Sequence, residues 1–470
     1  MNVVIVMLDS LRADFVGAYG NPWVHTPNLD ALAAEAATFD AAFVGSYPTV
    51  PERTDLLTAR TVFPHRGWTP IPRDEPTLAS RLAGQRGYVA MLLGDRPGLD
   101  AIGTGFQAHD QVRGQEGDRW ATAPREVRLP CAPHKLRSPR GTVVQFLRNI
   151  AHWHGEDDTF PAQVFARAIR WLRANRSSQP FFLFVDSFDP HEPWVAPQNF
   201  VDLYQPDYDG EDVIYPRYGL ADGLDEPELE RARYLYAAET TLVDKHLGRL
   251  LEELEYLGLA ASTLLVVLAD HGFYLGEHGL LGKPFRTPNQ ALFRHHHGES
   301  PMPRSLGNLY RQATRTPLWI RHPDGLAAGQ RIPAIVQHVD IAPTVLELSG
   351  LDLPSGLDGR SLGPLLEGRA GAHRQVAFSC RCASYQGDGP THWDNAATAT
   401  DGDWSLILHP RDPELGHAEL YRLADDPGET ANVLAEHPEE ARRLQAAFLQ
   451  FLRDAHAHPQ ALAQLWQPTA

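Results

Sequence analysis

Five short apolar runs recur along the chain, and polar residues follow each of them. The runs are VVIVML (3–8), YVAMLL (88–93), FFLFV (181–185), TLLVVLA (263–269) and PLWI (317–320). Continuous runs of β-branched, aliphatic and aromatic residues are typical of strands that are buried on both faces. The pattern therefore predicts five strands in the interior of a sheet.

Segments with helical periodicity lie between these runs. NLDALAAEA (28–36) follows Thr26-Pro27, ARAIRWLRAN (166–175) precedes the third run, and a long amphipathic segment at about 228–257 precedes the fourth. Strands that alternate with helices indicate an α/β fold with a mostly parallel sheet.

The pattern changes after about residue 371. The short segments VAFSCRC (376–382), WSLILHP (404–410) and AELYRL (418–423) alternate with Gly, Asp and Pro turns. A final helical segment places apolar residues at Leu444, Phe448 and Phe451. We predict a catalytic α/β domain over residues 1–370, and a C-terminal subdomain over 371–470 with a small antiparallel sheet and a terminal helix.

Charge and cysteine content narrow the function classes. Lys and Arg total 42 against 59 Asp and Glu, a net charge of −17, which argues against nucleic acid and anionic membranes as partners. No apolar run approaches the ~18 residues of a membrane span. Met1 leads directly into a strand-like run without a basic region or cleavage site, so we expect a cytoplasmic protein. Three sparse cysteines, Cys131, Cys380 and Cys382, read as ordinary thiols.

Acidic residues follow four of the five runs. Asp9 ends the first, Asp95 the second, Asp186 the third and Asp270-His271 the fourth. In open α/β sheets, ligands bind outside the carboxyl ends of the strands. Any one of these acids has an equally good explanation as the start of a turn. Taken as a set, they predict a functional site at one sheet edge.

The segment LADHGFYLGEHGLLGKP (268–284) has the composition of a metal site. A carboxylate next to an imidazole, Asp270-His271, is a normal pair for a divalent cation, and Asp9 offers a ligand from another strand end. The alternative is a buried Asp–His pair at a turn. Oxygen-rich ligation with one His suits Ca²⁺, Mg²⁺ or Mn²⁺, with Zn²⁺ as a further candidate. Lys283 follows in the next loop.

The segment SYPTVPERTDLLT (46–58) has two readings. Thr49 followed by Glu52 is a capping-box pattern, which makes Thr49 the cap of a helix. A helix N-terminus also binds anions, and Arg53 one turn later could grip a tetrahedral oxyanion with two hydrogen bonds. The same geometry would then serve Thr49 as a nucleophile. The segment alone does not decide between them.

His191 lies between two prolines in DSFDPHEPW (186–194), at the same predicted edge. A histidine there could protonate a leaving group near neutral pH. The alternative is a surface-loop histidine, which is a fair reading for most of the 22 histidines in the chain.

Taken together, the motifs resemble those of the sulfatases in the alkaline phosphatase superfamily over nearly the whole chain. The matching pieces, in order, are NVVIVMLDSLRADFVGAYG, PTVPERTDLLTAR, GQEGD, DPHEPW, ADHGFYLGEHGLLGK, QHVDIAPTVLELSG, DGRSLGPLL and ELYRLADDPGETANVL. The resemblance implies a large mixed sheet sandwiched by helices, with a small C-terminal antiparallel sheet.

The resemblance also implies roles for individual residues. Asp9, Asp270, His271 and the Thr49 hydroxyl would bind one metal ion, Lys283 would be the pocket lysine, and His191 the loop histidine. The family signature C-x-P-x-R aligns with 49–53, so Arg53 matches; a register that begins at Ser46 fails, because its fifth position is Val50. Two departures stand out. Ser10 follows Asp9 where many members have a second acid, and sulfatases convert the signature Cys or Ser to formylglycine, whereas this chain has Thr49.

Three functions remain open on these residues. The first is a metal-dependent hydrolase of small phosphate or phosphonate esters, with Thr49 as the nucleophile and Arg53, Lys283 and His191 as its helpers. The second is a sulfatase that acts without formylglycine. The third is a sulfatase-like binding protein without turnover, against which the retained metal and charge set argues. The oligomeric state, including a homo-oligomer, is left open.

Overall fold

The computed structural model describes residues 1–85, 87–123, 125–283, 307–381, 384–386, 389–392, 396–408 and 418–457, and Cys382 lies outside these residues. In chain order the strands are β1 (Asn2–Leu8), β2 (Ala37–Phe43), β3 (Ser46–Tyr47), β4 (Val89–Gly94), β5 (Ala108–Gln111), β6 (Phe181–Ser187), β7 (Gly219–Leu220), β8 (Thr263–Ala269), β9 (Tyr274–Leu275), β10 (Leu280–Gly282), β11 (Arg315–Thr316), β12 (Leu318–Arg321), β13 (Arg331–Gln337), β14 (Ala377–Arg381), β15 (Ser384–Gln386), β16 (Gly389–His392), β17 (Ala397–Thr400), β18 (Trp404–Leu408) and β19 (Glu419–Arg422).

The first seven α-helices in the described chain are α1 (Pro27–Glu35), α2 (Thr49–Thr58), α3 (Leu78–Ala83), α4 (Val144–Ile150), α5 (Phe160–Asn175), α6 (Gln198–Val201) and α7 (Glu226–Tyr256). Later helices span Arg311–Thr314, Ile341–Leu348, Gly363–Leu366 and Pro438–Asp454. None of the described helices is long and apolar enough to cross a membrane.

The predicted α/β architecture is confirmed by a nine-stranded mixed sheet in the described chain. Its order is β11-β2-β12-β8-β1-β6-β4-β5, and β13 pairs with β2. The block β8-β1-β6-β4-β5 is parallel, and β12 is antiparallel to both of its neighbours. The five predicted runs are β1, β4, β6, β8 and β12, with bounds within two residues of those predicted.

Helices cover both faces of the sheet because both faces are apolar. In β1, Val3, Ile5 and Met7 pack on one side, against apolar residues of α2 and α3. The alternate residues of β1 pack on the other side, against α1, α5 and α7. This two-residue alternation within an unbroken apolar run is what a doubly covered parallel sheet requires.

The carboxyl ends of the parallel strands meet at one edge, as predicted. Asp9, directly after β1, donates its backbone N–H to the carbonyl oxygen of Ser187 at the end of β6 (3.0 Å). Asp95, directly after β4, does the same to the carbonyl oxygen of Asp186 (3.3 Å). Asp270 directly follows β8, which lies on the other side of β1.

A second sheet has the order β19-β18-β17-β14-β3. Its C-terminal strands are antiparallel and pack with the helix Pro438–Asp454 through Leu444 and Phe448, as predicted. Its edge strand β3 was not predicted, comes from the N-terminal part of the chain and pairs in parallel with β14, Ser46 opposite Cys380. The division of the chain at residue 370 stays a prediction.

Candidate active site

Three buried carboxylates converge on the guanidinium group of Arg53. Its Nη1 donates to Oδ2 of Asp270 (2.5 Å), and its Nη2 donates to Oδ2 of Asp9 (3.0 Å) and to Oδ1 of Asp186 (2.6 Å). Its Nε donates to both oxygens of Asp186. All four side chains are fully buried. The guanidinium therefore ties together three strand ends.

This arrangement differs from the predicted role of Arg53. The sequence predicts a fork that grips the substrate's anionic group, but the Arg53 donors point to acids and to the carbonyl oxygen of Thr49 (3.2 Å). The reason is burial, because three carboxylates without water need a cation with several donors. Arg96 adds a second cation, with its Nε 3.3 Å from Oδ2 of Asp186.

A further positive charge next to Asp9 and Asp270 would stabilise their carboxylates. Burial, with the neighbouring carboxylate of Asp270 as the next cause, raises the pKa of Asp9 above its usual value despite Arg53. The backbone N–H groups of Ser10 and His271 donate to Oδ1 of Asp270 (2.9 and 2.7 Å). These two bonds fix the Asp270 carboxylate in place without adding a positive charge. A cation at this position would lower the pKa of Asp9.

His271 is held as a neutral imidazole whose Nε2 is available as an acceptor. Burial, followed by the charge of Lys283, lowers the pKa of His271 to about 3. Its Nδ1 lies 3.0 Å from the carbonyl oxygen of Gly272, so Nδ1 carries the proton and donates. A Cβ on Gly272 would lie 1.8 Å from the carbonyl oxygen of Gln312, so only glycine fits there.

The Thr49 hydroxyl lies at the Nε2 atom of His271. The distance is 3.1 Å, and with Nδ1 protonated the hydroxyl is the donor and Nε2 the acceptor. Thr49 has a φ of 34°, which is a strained backbone for a β-branched residue and is typical of functional positions. The first residue of α2, Thr49, thus places its hydroxyl next to the imidazole of His271.

The capping-box interpretation of this segment is wrong. Thr49 is the first residue of α2 rather than its cap, and the capping position, Pro48, makes no side-chain bond to the helix. The Glu52 carboxylate bonds the buried imidazole of His338, which belongs to the QHVDIAPTVLELSG motif, instead of a backbone N–H. The Thr49 hydroxyl is bonded to His271, and the buried Glu52 takes an imidazole as its charge partner.

Lys283 reaches the site from the loop after β10. Its Nζ lies 3.4 Å from Oγ of Ser10 and 3.9 Å from Oε2 of Glu192. Ser10, at the position where many family members have an acid, donates its hydroxyl to Oδ1 of Asp9 (2.8 Å). The Ser10 side chain therefore lies between the ammonium of Lys283 and the carboxylate of Asp9, a predicted metal ligand.

His191 faces the same group of residues and is buried, not a surface-loop histidine. Its ring stacks on Phe188 at 3.9 Å, and its Nδ1 lies 2.5 Å from the carbonyl oxygen of Glu192. Burial, followed by the charge of Lys283, lowers the pKa of His191 well below its usual value. His191 is therefore neutral at neutral pH, and in this state its Nε2 accepts a proton rather than donating one.

Glu192 was not predicted in this site, and neither was the pairing of Asp186 with Arg53. Glu192 places its Oε2 3.4 Å from Nδ1 of His191 and close to Lys283, so it links the two. Asp186, noted only as one strand-end acid, is the main partner of Arg53. In the sequence, each of these acids is one charged residue within or beside a motif. Its neighbours in the chain do not distinguish it from an acid exposed to solvent.

Comparisons with known proteins identify the family of this chain. The family model described as Sulfatase matches residues 1–351, most of this chain. The chain belongs to the sulfatase family. A second model, described as N-sulphoglucosamine sulphohydrolase, C-terminal, matches residues 307–457. The chain is therefore a hydrolase of esters in the alkaline phosphatase superfamily.

Relatives of this sulfatase-family chain match most of its length at low identity. An arylsulfatase of Clostridium perfringens is 24% identical over 92% of this chain and 90% of its own length. The multifunctional alkaline phosphatase superfamily protein PehA of Trinickia caryophylli is 28% identical over 78% of this chain and 77% of its own. The phosphonate monoester hydrolase of Agrobacterium radiobacter has the same fold, with a TM-score of 0.73, 24% identity, and coverage of 97% and 96%.

Sulfatase-family enzymes generally use a divalent metal ion, and the residues here fit one. Asp9, Asp270 and His271 each offer a ligand atom, and these atoms lie within 4.8 Å of one another. The Nδ1–H bond of His271 to a carbonyl oxygen is the usual arrangement of a metal-binding histidine, and it leaves Nε2 as the ligand. With the Thr49 hydroxyl beside Nε2, these four groups would hold the ion.

Replacement of Asp270 by Asn should abolish tight metal binding. The amide keeps the shape but removes one of two carboxylate charges, so we expect affinity for Mn²⁺ or Ca²⁺ to fall by more than about 100-fold. Titration calorimetry on chelator-treated protein measures the change. Asp244→Asn is the matched control, because Asp244 is an equally buried aspartate that binds backbone N–H groups of α1. Full metal occupancy in Asp270→Asn would show that the ion lies elsewhere.

Proposed function

We propose that this sulfatase-family protein hydrolyses phosphate or phosphonate esters and uses Thr49 as its nucleophile. The observation that carries the proposal is the position of the Thr49 hydroxyl, 3.1 Å from Nε2 of His271 and beside the cluster of Asp9 and Asp270. A single hydroxyl on a strained backbone, next to an imidazole that would share a metal ion with two carboxylates, is the arrangement of a metal-activated nucleophile.

In the first step, the Thr49 hydroxyl loses its proton to solvent, its Oγ1 attacks phosphorus, and the bond from phosphorus to the alcohol oxygen breaks. A bound divalent cation lowers the pKa of such a hydroxyl and stabilises charge on substrate oxygens. In the second step, water attacks phosphorus, its proton goes to a base, and the Thr49 oxygen leaves and regains a proton. Phosphate or phosphonate is released.

Lys283 and His191 serve this reaction through charge stabilisation and proton transfer. The ammonium of Lys283 lies beside Ser10 and would stabilise an anionic substrate oxygen. His191 is neutral, with its Nδ1 at the Glu192 carbonyl oxygen, so Nε2 accepts a proton from attacking water. A bound dianion beside it would raise the pKa of His191, and the protonated ring would then donate to a leaving alkoxide.

The difference between Thr49 and formylglycine decides which ester is favoured. Hydrated formylglycine has two hydroxyls, so one attacks sulfur and the other expels sulfate without a second attack. Thr49 has one hydroxyl, and a covalent intermediate has to be cleared by water in line. Phosphoryl-enzyme intermediates are cleared in this way. This argument favours phosphorus esters over a sulfatase that works without formylglycine.

The relatives support both ester classes. PehA is described as a multifunctional alkaline phosphatase superfamily protein, and the Clostridium protein as an arylsulfatase. The fold is shared with a phosphonate monoester hydrolase and does not choose between them. The choice of phosphorus therefore rests on Thr49. We also propose that the substrate is a small anionic ester met in the cytoplasm.

Four esters with the same leaving group test the proposal. We expect the metal-loaded protein to show higher kcat/KM for 4-nitrophenyl phosphate, 4-nitrophenyl phenylphosphonate or bis(4-nitrophenyl) phosphate than for 4-nitrophenyl sulfate. The nitrophenolate absorbance measures all four under one condition, so differences report the transferred group alone. A preference for the sulfate ester would refute phosphoryl transfer and support the sulfatase alternative.

A further inference from the structure

A basic cleft lies next to the candidate site. Its volume is about 600 Å³, and its walls come from residues 133–134 and 136–142 and from Tyr215 and Arg217. Three of the eleven described residues that line it are arginines, Arg137, Arg140 and Arg217, and none is acidic. In a chain with 42 basic and 59 acidic residues, such a concentration of one sign is a local exception. A cleft of this kind attracts and holds anions.

Arg137 is held in place on the inner wall of this cleft. Its guanidinium lies 4.0 Å from the ring centroid of Tyr218, and its Nη1 donates to the hydroxyl of Tyr215 (3.1 Å). The Tyr215 hydroxyl in turn donates to Oε1 of Glu116 (2.6 Å). A guanidinium fixed in this way loses little freedom when it binds a carboxylate, phosphate or sulfate group.

The cleft and the candidate site share one carboxylate. Oε1 of Glu192 lies 4.0 Å from Nη1 of Arg137, and Oε2 of the same group lies 3.9 Å from Nζ of Lys283. Lys283 itself lies 3.4 Å from Oγ of Ser10, next to Asp9. When an anionic group of a molecule binds at Lys283, the guanidinium of Arg137 is therefore a second cation nearby. The side chain of Glu192 separates the two cations.

Arg140 is a cation at the cleft that is open to water. Arg140 is exposed and makes no ion pair with any residue of the described chain, and His134 beside it is exposed as well. Planar guanidinium groups bind oxyanions through two parallel hydrogen bonds, which small neutral groups cannot match. The cleft therefore discriminates by charge.

We propose that the organic part of the substrate carries a second anionic oxo group, which binds in the cleft lined by Arg137, Arg140 and Arg217. This inference rests on the proposed function for the position of the reacting group. The substrate class is then a dianionic or more highly charged ester with its two anionic groups at opposite ends. Arg137 and Arg140 act in binding and specificity, and neither touches the reacting atoms.

Non-hydrolysable probes test the second anion without turnover. Titration calorimetry compares α,ω-alkanediphosphonates of increasing chain length with the matching alkyl monophosphonates on metal-loaded protein. At the best length we expect the diphosphonate to bind about ten- to hundredfold more tightly, as hydrogen bonds to charged groups allow. Arg140→Gln should reduce this ratio severalfold, while Arg176→Gln should keep it. Arg176 is an exposed arginine beside the start of β6, at the opposite sheet edge.

A ratio near one at every chain length, or an unchanged ratio in Arg140→Gln, would overturn the proposal. Failure of the proposed function gives a different result. If monophosphonates do not bind and sulfate esters are preferred, phosphoryl transfer is wrong. The same ratio, measured with alkanedisulfonates against alkyl monosulfonates, then decides whether the cleft binds a second anion.

Discussion

Thr49→Val should abolish turnover while the protein stays folded. Valine keeps the branched shape and replaces the hydroxyl that bonds Nε2 of His271 at 3.1 Å. Without that oxygen no covalent intermediate forms, and we expect kcat to fall by at least about 10³-fold, as for other lost nucleophiles. Three metal-binding groups remain, so the ion is retained with reduced affinity. Initial rates on the preferred 4-nitrophenyl ester, and circular dichroism, measure both effects.

Thr49→Ser is the matched control, because it keeps the hydroxyl without the methyl group and should retain measurable turnover. Acid-quenched wild-type protein should carry a phosphoryl group on the peptide that contains Thr49, detectable by mass spectrometry. If Thr49 had a structural role alone, Thr49→Val would be fully active and destabilised by about 1 kcal/mol. That outcome would remove Thr49 from the mechanism.

Arg53→Ala should destabilise the whole protein and not only its activity. The guanidinium is the shared partner of Asp9, Asp186 and Asp270, all fully buried. Removing one partner of a buried ion pair leaves uncompensated charge, and typical costs are about 3–5 kcal/mol. We expect a large decrease in the denaturant midpoint, measured in the presence of a chelator so that metal does not compensate. Activity should be lost as well.

Asp186→Asn in the Arg53→Ala background is a direct check on this cause. It removes one unpaired carboxylate, so the double variant should be more stable than Arg53→Ala. The sequence-based expectation is different: a guanidinium that grips only the substrate would give an Arg53→Ala protein with normal stability and low kcat/KM. Such a result would contradict the positioning role that the geometry indicates.

The sequence predicts best those elements whose residue pattern has a single physical explanation. The buried runs of β1, β6 and β8 were unmistakable because an unbroken apolar stretch has few other places in a globular protein. The acids that follow them were predicted to share an edge, since parallel strands place their carboxyl ends together. Asp9, Asp270 and His271 accordingly lie within bonding reach of one ion.

Long-range partners could not be read from the sequence. The Thr49–Glu52 spacing fits a capping box, but Glu52 bonds His338, which lies 286 residues away in the chain. Arg53 fits an anion-binding fork, but three carboxylates from three strand ends surround it. In both cases burial decided the partner, and burial depends on the folded structure. Strand β17, an ATAT segment, was missed because it lacks large apolar residues.

The pairing of β3 with β14 has a consequence for how the protein is made. The backbone N–H of Cys380 donates to the carbonyl oxygen of Gly45 (2.9 Å), four residues before Thr49. During translation, Gly45 is made before its partner strand β14, which follows more than 300 residues later in the chain. The segment that carries Thr49 therefore reaches its final geometry only after β14 has been translated and has paired with β3. We therefore expect a nascent chain to gain esterase activity only once β14 and its sheet have docked on β3.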